Sequence, residues 1–187
     1  MSKLVCGIDE AGRGPLAGPL CVAGVVLLGH IDGLNDSKKL TSTKREYLYD
    51  KIVQNSRYRI VFKSSEFIDT YGISKAIASS LEDIQHKIEA KLYLFDGNSS
   101  YGISEIETII KGDSLVDEIK AASILAKVSR DRYMKKLCSM YPSYSFAKHK
   151  GYGTKAHIEE IKEFGFCAEH RKSYRVKSLQ GNLWDRQ

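Results

Sequence analysis

The stretch Gly7-Ile8-Asp9-Glu10-Ala11-Gly12-Arg13-Gly14-Pro15-Leu16-Ala17-Gly18-Pro19, which runs straight into LCVAGVVLL (Leu20–Leu28), decides how the chain is read. An apolar run from Leu4 ends in two adjacent acids, Asp9 and Glu10. A glycine-rich loop around Arg13 follows. Carboxylates at a strand end are hard oxygen ligands for a divalent cation, and glycines without a Cβ let backbone approach a polyanion. The pair points to metal-assisted phosphate chemistry.

Two rivals need weighing. Neighbouring acids at a strand end are most often simply solvated. Gly12-x-Gly14-x-x-Ala17 also matches a loose dinucleotide-binding fingerprint, which requires a helix to start at the loop. Here Pro15 and Pro19 interrupt it, and the β-branched run Leu20–Leu28 reads as a buried strand. The dinucleotide reading fails on context.

At 187 residues the chain fits one domain, 1–187, with a helical C-terminal part and tail over about 135–187. A hydrophobic content of 42% and a charged content of 28% are those of a soluble protein. The run Leu20–Leu28 is too short to span a bilayer and no signal-peptide pattern opens the chain, so a cytoplasmic protein is expected. A monomer is expected as well. Cys6, Cys21, Cys138 and Cys167 have no metal-finger spacing and read as reduced structural thiols. Net charge is +6, unevenly spread: residues 127–187 hold 14 Lys and Arg against 6 Asp and Glu, and residues 1–126 hold 15 against 17. An acidic part joined to a basic part suits a carboxylate centre beside a nucleic-acid-binding surface.

Strands are expected at Lys3–Asp9, Leu20–Leu28, Tyr58–Ser64, Lys91–Asp96 and Ile106–Lys111. A helix between the second and third is marked by a capping box, Thr43-x-x-Glu46, with Leu48 and Ile52 on one face. Ile73, Ile77, Leu81, Ile84 and Ile88 recur at helical spacing. From Asp117 the chain reads mainly helical, and a late helix is capped by Thr154 and stopped by Gly165. The pattern predicts an α/β fold, a mixed sheet covered by helices.

Asp96 closes a strand in DGNS, and Asp113 lies in KGDS before a helix. With Asp9 they are three acids at three strand ends, where ligands of open α/β sheets bind. Side chains alternate along a strand, so Glu10 joins them only if the chain turns there. Converging carboxylates raise one another's pKa unless cations compensate, and two Mg²⁺ or Mn²⁺ ions about 4 Å apart would do so while clamping an in-line phosphoryl displacement. No His or Cys clusters with them in sequence, which argues against zinc.

At this point the residues resemble a known family, bacterial ribonuclease HII. The matching segments are GIDEAGRGPLAGP, NDSKKL (Asn35–Leu40), FDGN (Phe95–Asn98), KGDSLVDEIKAASILAKVSRDRYM (Lys111–Met134) and HKGYGT (His149–Thr154), with HRKSYRVK (His170–Lys177) resembling a C-terminal block. The resemblance implies a ribonuclease H-like fold, a five-stranded mixed sheet flanked by helices. It implies an endonuclease that cleaves RNA within RNA–DNA hybrids and on the 5′ side of single ribonucleotides in duplex DNA, leaving 3′-hydroxyl and 5′-phosphate ends, as ribonucleotide excision repair requires. It makes Asp9, Glu10, Asp96 and Asp113 the catalytic metal ligands: Asp9 bridging both ions, Glu10 and Asp96 on one, Asp113 on that holding the attacking water. Gly12, Arg13 and Gly14 would read the ribose 2′-hydroxyl, and Tyr152 would stack on the sugar past the junction. Ser37, Lys38 and Lys39 would contact phosphate. Lys127, Arg130, Lys148 and Lys150 are assigned only to a diffuse basic face. A catalytically silent hybrid-binding protein is the alternative of another class, opposed by the intact acids. The tail Gln180-Gly181-Asn182-Leu183-Trp184 resembles the short peptide that binds bacterial sliding clamps, with Gly181 where an apolar residue is usual.

Overall fold

The computed structural model describes residues 4–175. Strand β1 (Val5–Ala11) forms a central hairpin with β2 (Leu20–Leu27), and β3 (Ser56–Lys63) follows after helix α1 (Ser42–Gln54). Helix α2 (Ser65–Lys87) leads to β4 (Leu92–Asp96) and β5 (Ile106–Ile109). Short α3 (Gly112–Leu115), long α4 (Asp117–Met140), short α5 (Phe146–His149) and α6 (Lys155–Phe164) complete the described chain. The sheet order is β3-β2-β1-β4-β5. The β1–β2 and β2–β3 pairs are antiparallel, and β1–β4 and β4–β5 are parallel. This is the expected five-stranded mixed sheet.

β2 is buried along nearly its whole length because helices cover both faces, so it carries a continuous apolar run rather than an alternating one. On one face Cys6, Ile8, Val22 and Phe95 pack against Ile77, Leu81 and Ile84 of α2. On the other, Cys21, Ala23 and Val25 pack against Leu48 and Ile52 of α1 and Ile124 and Leu125 of α4. Gly7 sits where α4 crosses β1, and a Cβ there would run into the backbone of Glu118 and Ile119. A third cluster, Ala17, Met134, Leu137, Tyr144, Phe146 and Ile161, holds the C-terminal helices to the end of α4 and to the loop after β1.

Two local expectations change. The cap of α1 is Thr41, whose backbone is extended and whose Oγ1 accepts from Lys44 N at 3.2 Å, so the helix starts at Ser42. Thr43 lies in the first turn, so Thr43-x-x-Glu46 is no capping box. Helix α2 starts at Ser65, well before the apolar repeat, and is broken at Gly72, where φ is 82°. The end signals of α6 stand: Thr154 Oγ1 accepts from His157 N, and Gly165 follows with φ of 80°. No described helix is long and apolar enough to cross a membrane.

Candidate active site

A cleft of about 530 Å³ opens at the carboxyl end of β1 and β4, lined by Asp9, Glu10, Asp96, the Gly12–Gly14 loop, Ser37, Lys38 and Tyr152. Asp9 and Glu10 reach it without any turn in the chain, which corrects the condition set for Glu10. β1 continues past both acids, Glu10 pairing with Val22 and Ala11 with Cys21. Pairing with β4 stops at Ile8–Phe95. Beyond that register the β4-side edge of β1 is free, and the cleft wraps round it. Asp9 faces the α4 side, lining the cleft with Ser123, and Glu10 faces the other side with Arg13. Strict alternation thus delivers both acids to one cleft.

The second pair comes from the parallel strands. Asp96 Oδ1 accepts from Gly112 N at 2.9 Å, which docks the start of α3 on the end of β4 and brings Asp113 alongside. Asp113 is buried and, unlike the other three acids, is not part of the cleft lining; its Oδ2 accepts from Lys38 Nζ, a lining residue, at 3.0 Å. Lys38 itself stands on a 3₁₀ turn (Ser37–Lys39) capped by Asp36 and pinned by Arg45, which donates to the carbonyls of Ser37 and Leu40. Ser37 Oγ lies 2.9 Å from Ser123 Oγ. Lys39 is exposed and is not part of the lining.

The electrostatics are strained. Burial holds the Asp9 carboxyl well above its usual range, and the Glu10 and Asp96 carboxylates add to the effect. Burial also raises Glu10, opposed by Arg13 at 3.1 Å from Oε1. Asp96 is raised by burial and by Asp113, against the Gly112 amide. Glu10 Oε2 is buried with no hydrogen-bond partner, the only such side-chain atom among the described residues. A buried acceptor left without a donor costs on the order of 1–3 kcal/mol, so this atom awaits a cation or donor. The donors are oxygens, and no His or Cys lines the cleft, which fits Mg²⁺ or Mn²⁺ and not zinc. Among the described residues no three acids, histidines or cysteines already close round one point as a metal cage.

Two buried arginines, neither given this role by the sequence, hold the loops. Arg171 donates to the carbonyls of Gly12 at 2.6 Å, Arg13 at 3.0 Å and Gly18 at 2.8 Å. Arg130, assigned above to a basic surface, is 1% exposed and corrects that assignment. It donates to Pro19, Ala17 and Lys150 carbonyls, and its guanidinium lies 5.8 Å from the Tyr152 ring centre. Burial lowers its pKa to about 10. A Cβ on Gly12, where φ is 96°, would strike that guanidinium, so the loop's first glycine is a packing requirement. The signal for Arg171 was its place in HRKSYRVK; an arginine on the apolar face of α4 gave none. Lys127 lines the cleft, paired with Asp131 at 2.8 Å, and Lys148 is exposed.

The model of one family, described as Ribonuclease HII, matches residues 6–178. The chain is 54% identical to a ribonuclease HII of Sulfurovum sp. (strain NBC37-1), covering 95% of each, and 53% identical to one of Aliarcobacter butzleri (strain RM4018), covering 96% of this chain and 95% of that one. Among solved structures it is similar to the ribonuclease HII of the PCNA:RNase HII complex from Archaeoglobus fulgidus, with TM-score 0.78 and 25% identity over 93% of this chain and 96% of that one. It also shares its fold with Bst-RNase HIII in complex with Mn²⁺, with TM-score 0.64 and 17% identity over 88% of this chain and 63% of the other.

Proposed function

We propose a specific course of reaction, from the premise that this chain belongs to the ribonuclease HII family. It is a ribonuclease H, an endonuclease acting on RNA–DNA hybrids. Beyond that, our reading is that it also cuts on the 5′ side of single ribonucleotides in duplex DNA and leaves 3′-hydroxyl and 5′-phosphate ends. The observation that carries this is one cleft in which a field of raised carboxylates, with Glu10 Oε2 unpartnered, adjoins the Gly12–Gly14 loop and Tyr152.

Asp9, Glu10, Asp96 and Asp113 would hold two Mg²⁺ or Mn²⁺ ions. Bound there, the ions supply the positive charge that lets the acids ionise together and the Lewis acidity needed at a phosphodiester. The Mn²⁺ bound by a ribonuclease HIII of the same fold is consistent with this choice. The chain's own residues do the positioning. Arg171 holds the carbonyls of the Gly12–Gly14 loop, so its backbone meets the ribose 2′-hydroxyl, the group that separates RNA from DNA, in a fixed shape. Tyr152, 43% exposed, offers a ring face to the sugar past the junction. Lys38 and Lys127 line the cleft with Ser37 and would contact phosphate. Lys39 is retained as an outer phosphate contact, since it is exposed beside Lys38.

The sliding-clamp reading of Gln180–Trp184 falls outside the described residues. It draws support from the archaeal relative solved with PCNA. A cleavage assay with and without Mg²⁺ or Mn²⁺, on a uniform hybrid and on duplex DNA with one ribonucleotide, tests the main reading. Metal-dependent cutting of both, 5′ of the lone ribonucleotide, is expected. Binding without cutting in either metal would favour the silent hybrid-binding protein.

A further inference from the structure

Three histidines meet beneath the turn that carries Tyr152, and the cleavage chemistry uses none of them. His149 is 8% exposed, His170 2% and His157 not at all. The His149 and His157 rings stack with centres 4.1 Å apart. Their hydrogen bonds fix which nitrogen carries each proton. His170 Nδ1 accepts from Cys167 N at 3.0 Å, so its Nε2–H is the donor. That nitrogen lies 3.0 Å from His157 Nε2, which must accept, so His157 carries its proton on Nδ1. His157 Nδ1–H then donates to the Tyr152 carbonyl at 2.9 Å. The bonds all run one way, from the Cys167 amide through two imidazoles to the backbone of Tyr152.

The rest of the turn is fastened as firmly. Gly151 N donates to His149 Nδ1 at 3.1 Å, which leaves His149 Nε2–H for Glu160 at 2.9 Å. The Gly151 carbonyl accepts from Leu16 N at 2.8 Å, and Tyr152 N donates to the His149 carbonyl at 2.9 Å. The next residue after His170 is Arg171, which grips the Gly12–Gly14 loop. His170 also bridges to Ala17, and Arg171 N donates to Leu16 O at 2.7 Å. One short segment therefore touches both elements assigned to the RNA–DNA junction.

We propose that His157 and His170 are positioning residues for junction reading: their one-way hydrogen-bond chain fixes the Tyr152 turn relative to the loop held by Arg171. This rests on reading Tyr152 as the residue that meets the sugar past the junction. A core histidine needs only to be satisfied. Among the described residues, Tyr152 is the one aromatic that lines the cleft, and this chain ends on its backbone, which is where a rigid mount matters. Displacing a substrate-positioning group by about 1 Å can cost on the order of a hundredfold in rate. The chain works only with neutral imidazoles: a second proton on His157 would set its Nε2–H against that of His170 at 3.0 Å, and one on His170 Nδ1 would face the Cys167 N–H at 3.0 Å. Burial and the neighbouring imidazoles hold both pKa values down, to about 4.

The test measures kcat and KM on single-ribonucleotide duplex and on uniform hybrid, for the parent, Tyr152→Ala, His157→Phe, His157→Asn and the Tyr152→Ala/His157→Phe double variant. His157→Phe should lower kcat/KM on the single-ribonucleotide substrate about tenfold and on the hybrid much less. His157→Asn, whose amide N–H can take the place of Nδ1–H, should recover part of the loss. In the Tyr152→Ala background His157→Phe should add little. Equal losses on both substrates, or a full additional loss in the double variant, would overturn the proposal. No effect of Tyr152→Ala on the single-ribonucleotide substrate would instead sink the Tyr152 reading beneath it. Should His157→Phe not fold, ¹⁵N NMR of the parent decides: a proton on His157 Nε2 or His170 Nδ1 at neutral pH breaks the chain.

Discussion

The acid cleft and the histidine cluster flank the same loop and are opposites in their polar bookkeeping. In the cleft, three carboxylates are pushed up by burial and by one another, and Glu10 Oε2 has no partner. Beneath Tyr152, each ring nitrogen of His149, His157 and His170 has a partner. Unsatisfied polar groups mark where a ligand must complete the protein, and satisfied buried ones mark a mount that must not move. Activity should therefore be lost at the cleft without loss of fold, and the two regions should respond to pH with opposite sign.

The largest expected effect lies in the cleft. Asp96→Asn keeps the acceptor for Gly112 N but removes a negative ligand, so cleavage in Mg²⁺ should fall at least ~100-fold. The metal-free melting temperature should hold or rise, because an amide relieves the repulsion. Near-normal cleavage by the variant, followed over a time course, would take Asp96 out of the site.

Next comes the exposed ring. Tyr152→Ala should cost ~1–3 kcal/mol on single-ribonucleotide substrate, by analogy with base–aromatic stacking, and Tyr152→Phe much less. Steady-state kinetics of the three proteins on that substrate check it. Indistinguishable parent and Ala values would leave the ring a structural feature only.

The pH response separates the regions directly. His157 and His170 have folded pKa values below the unfolded 6.5. Above 6.5 both states are neutral and their stability is fully present. As pH falls from 6.5 towards 4 the unfolded chain takes up protons that the folded one refuses, so up to about 1.4 kcal/mol per pH unit is lost for each histidine. The raised Asp9, Glu10 and Asp96 act oppositely without metal, favouring the folded state as pH falls through their folded pKa values. Urea melts of parent and His170→Gln between pH 7 and 5 isolate the histidine part. An unchanged slope in the variant would show that His170 is not held neutral by the fold.

The smallest effect concerns the tail. Removing residues 180–187 should leave cleavage of short duplexes unchanged and abolish binding to the organism's own sliding clamp, measured by calorimetry at tens of micromolar. Failure of the full chain to bind there, or binding that survives truncation, ends the clamp reading.

What the sequence determined by itself was local. Apolar runs of strand length placed β1 to β5, and the Thr154 and Gly165 signals placed α6, because burial pattern and capping are written in neighbouring residues. Acids at or just after the ends of three such runs made Asp9, Asp96 and Asp113 candidates, although Asp113 stands in α3 and not on a strand. Helix α1 was legible as an element, yet its cap was misplaced by two residues, since Thr41 and Thr43 offer the same hydroxyl and only the backbone at Thr41 is extended. Tertiary structure alone decided the rest. Glu10 joins Asp9 because β4 stops pairing at Phe95, a property of two strands and not of one. Arg130 turned from surface charge into a buried clamp because three carbonyls from two distant loops converge on it. The histidine chain draws on residues as far apart as Tyr152 and His170, and hydrogen bonds between such positions leave no period or spacing in the sequence to find them by.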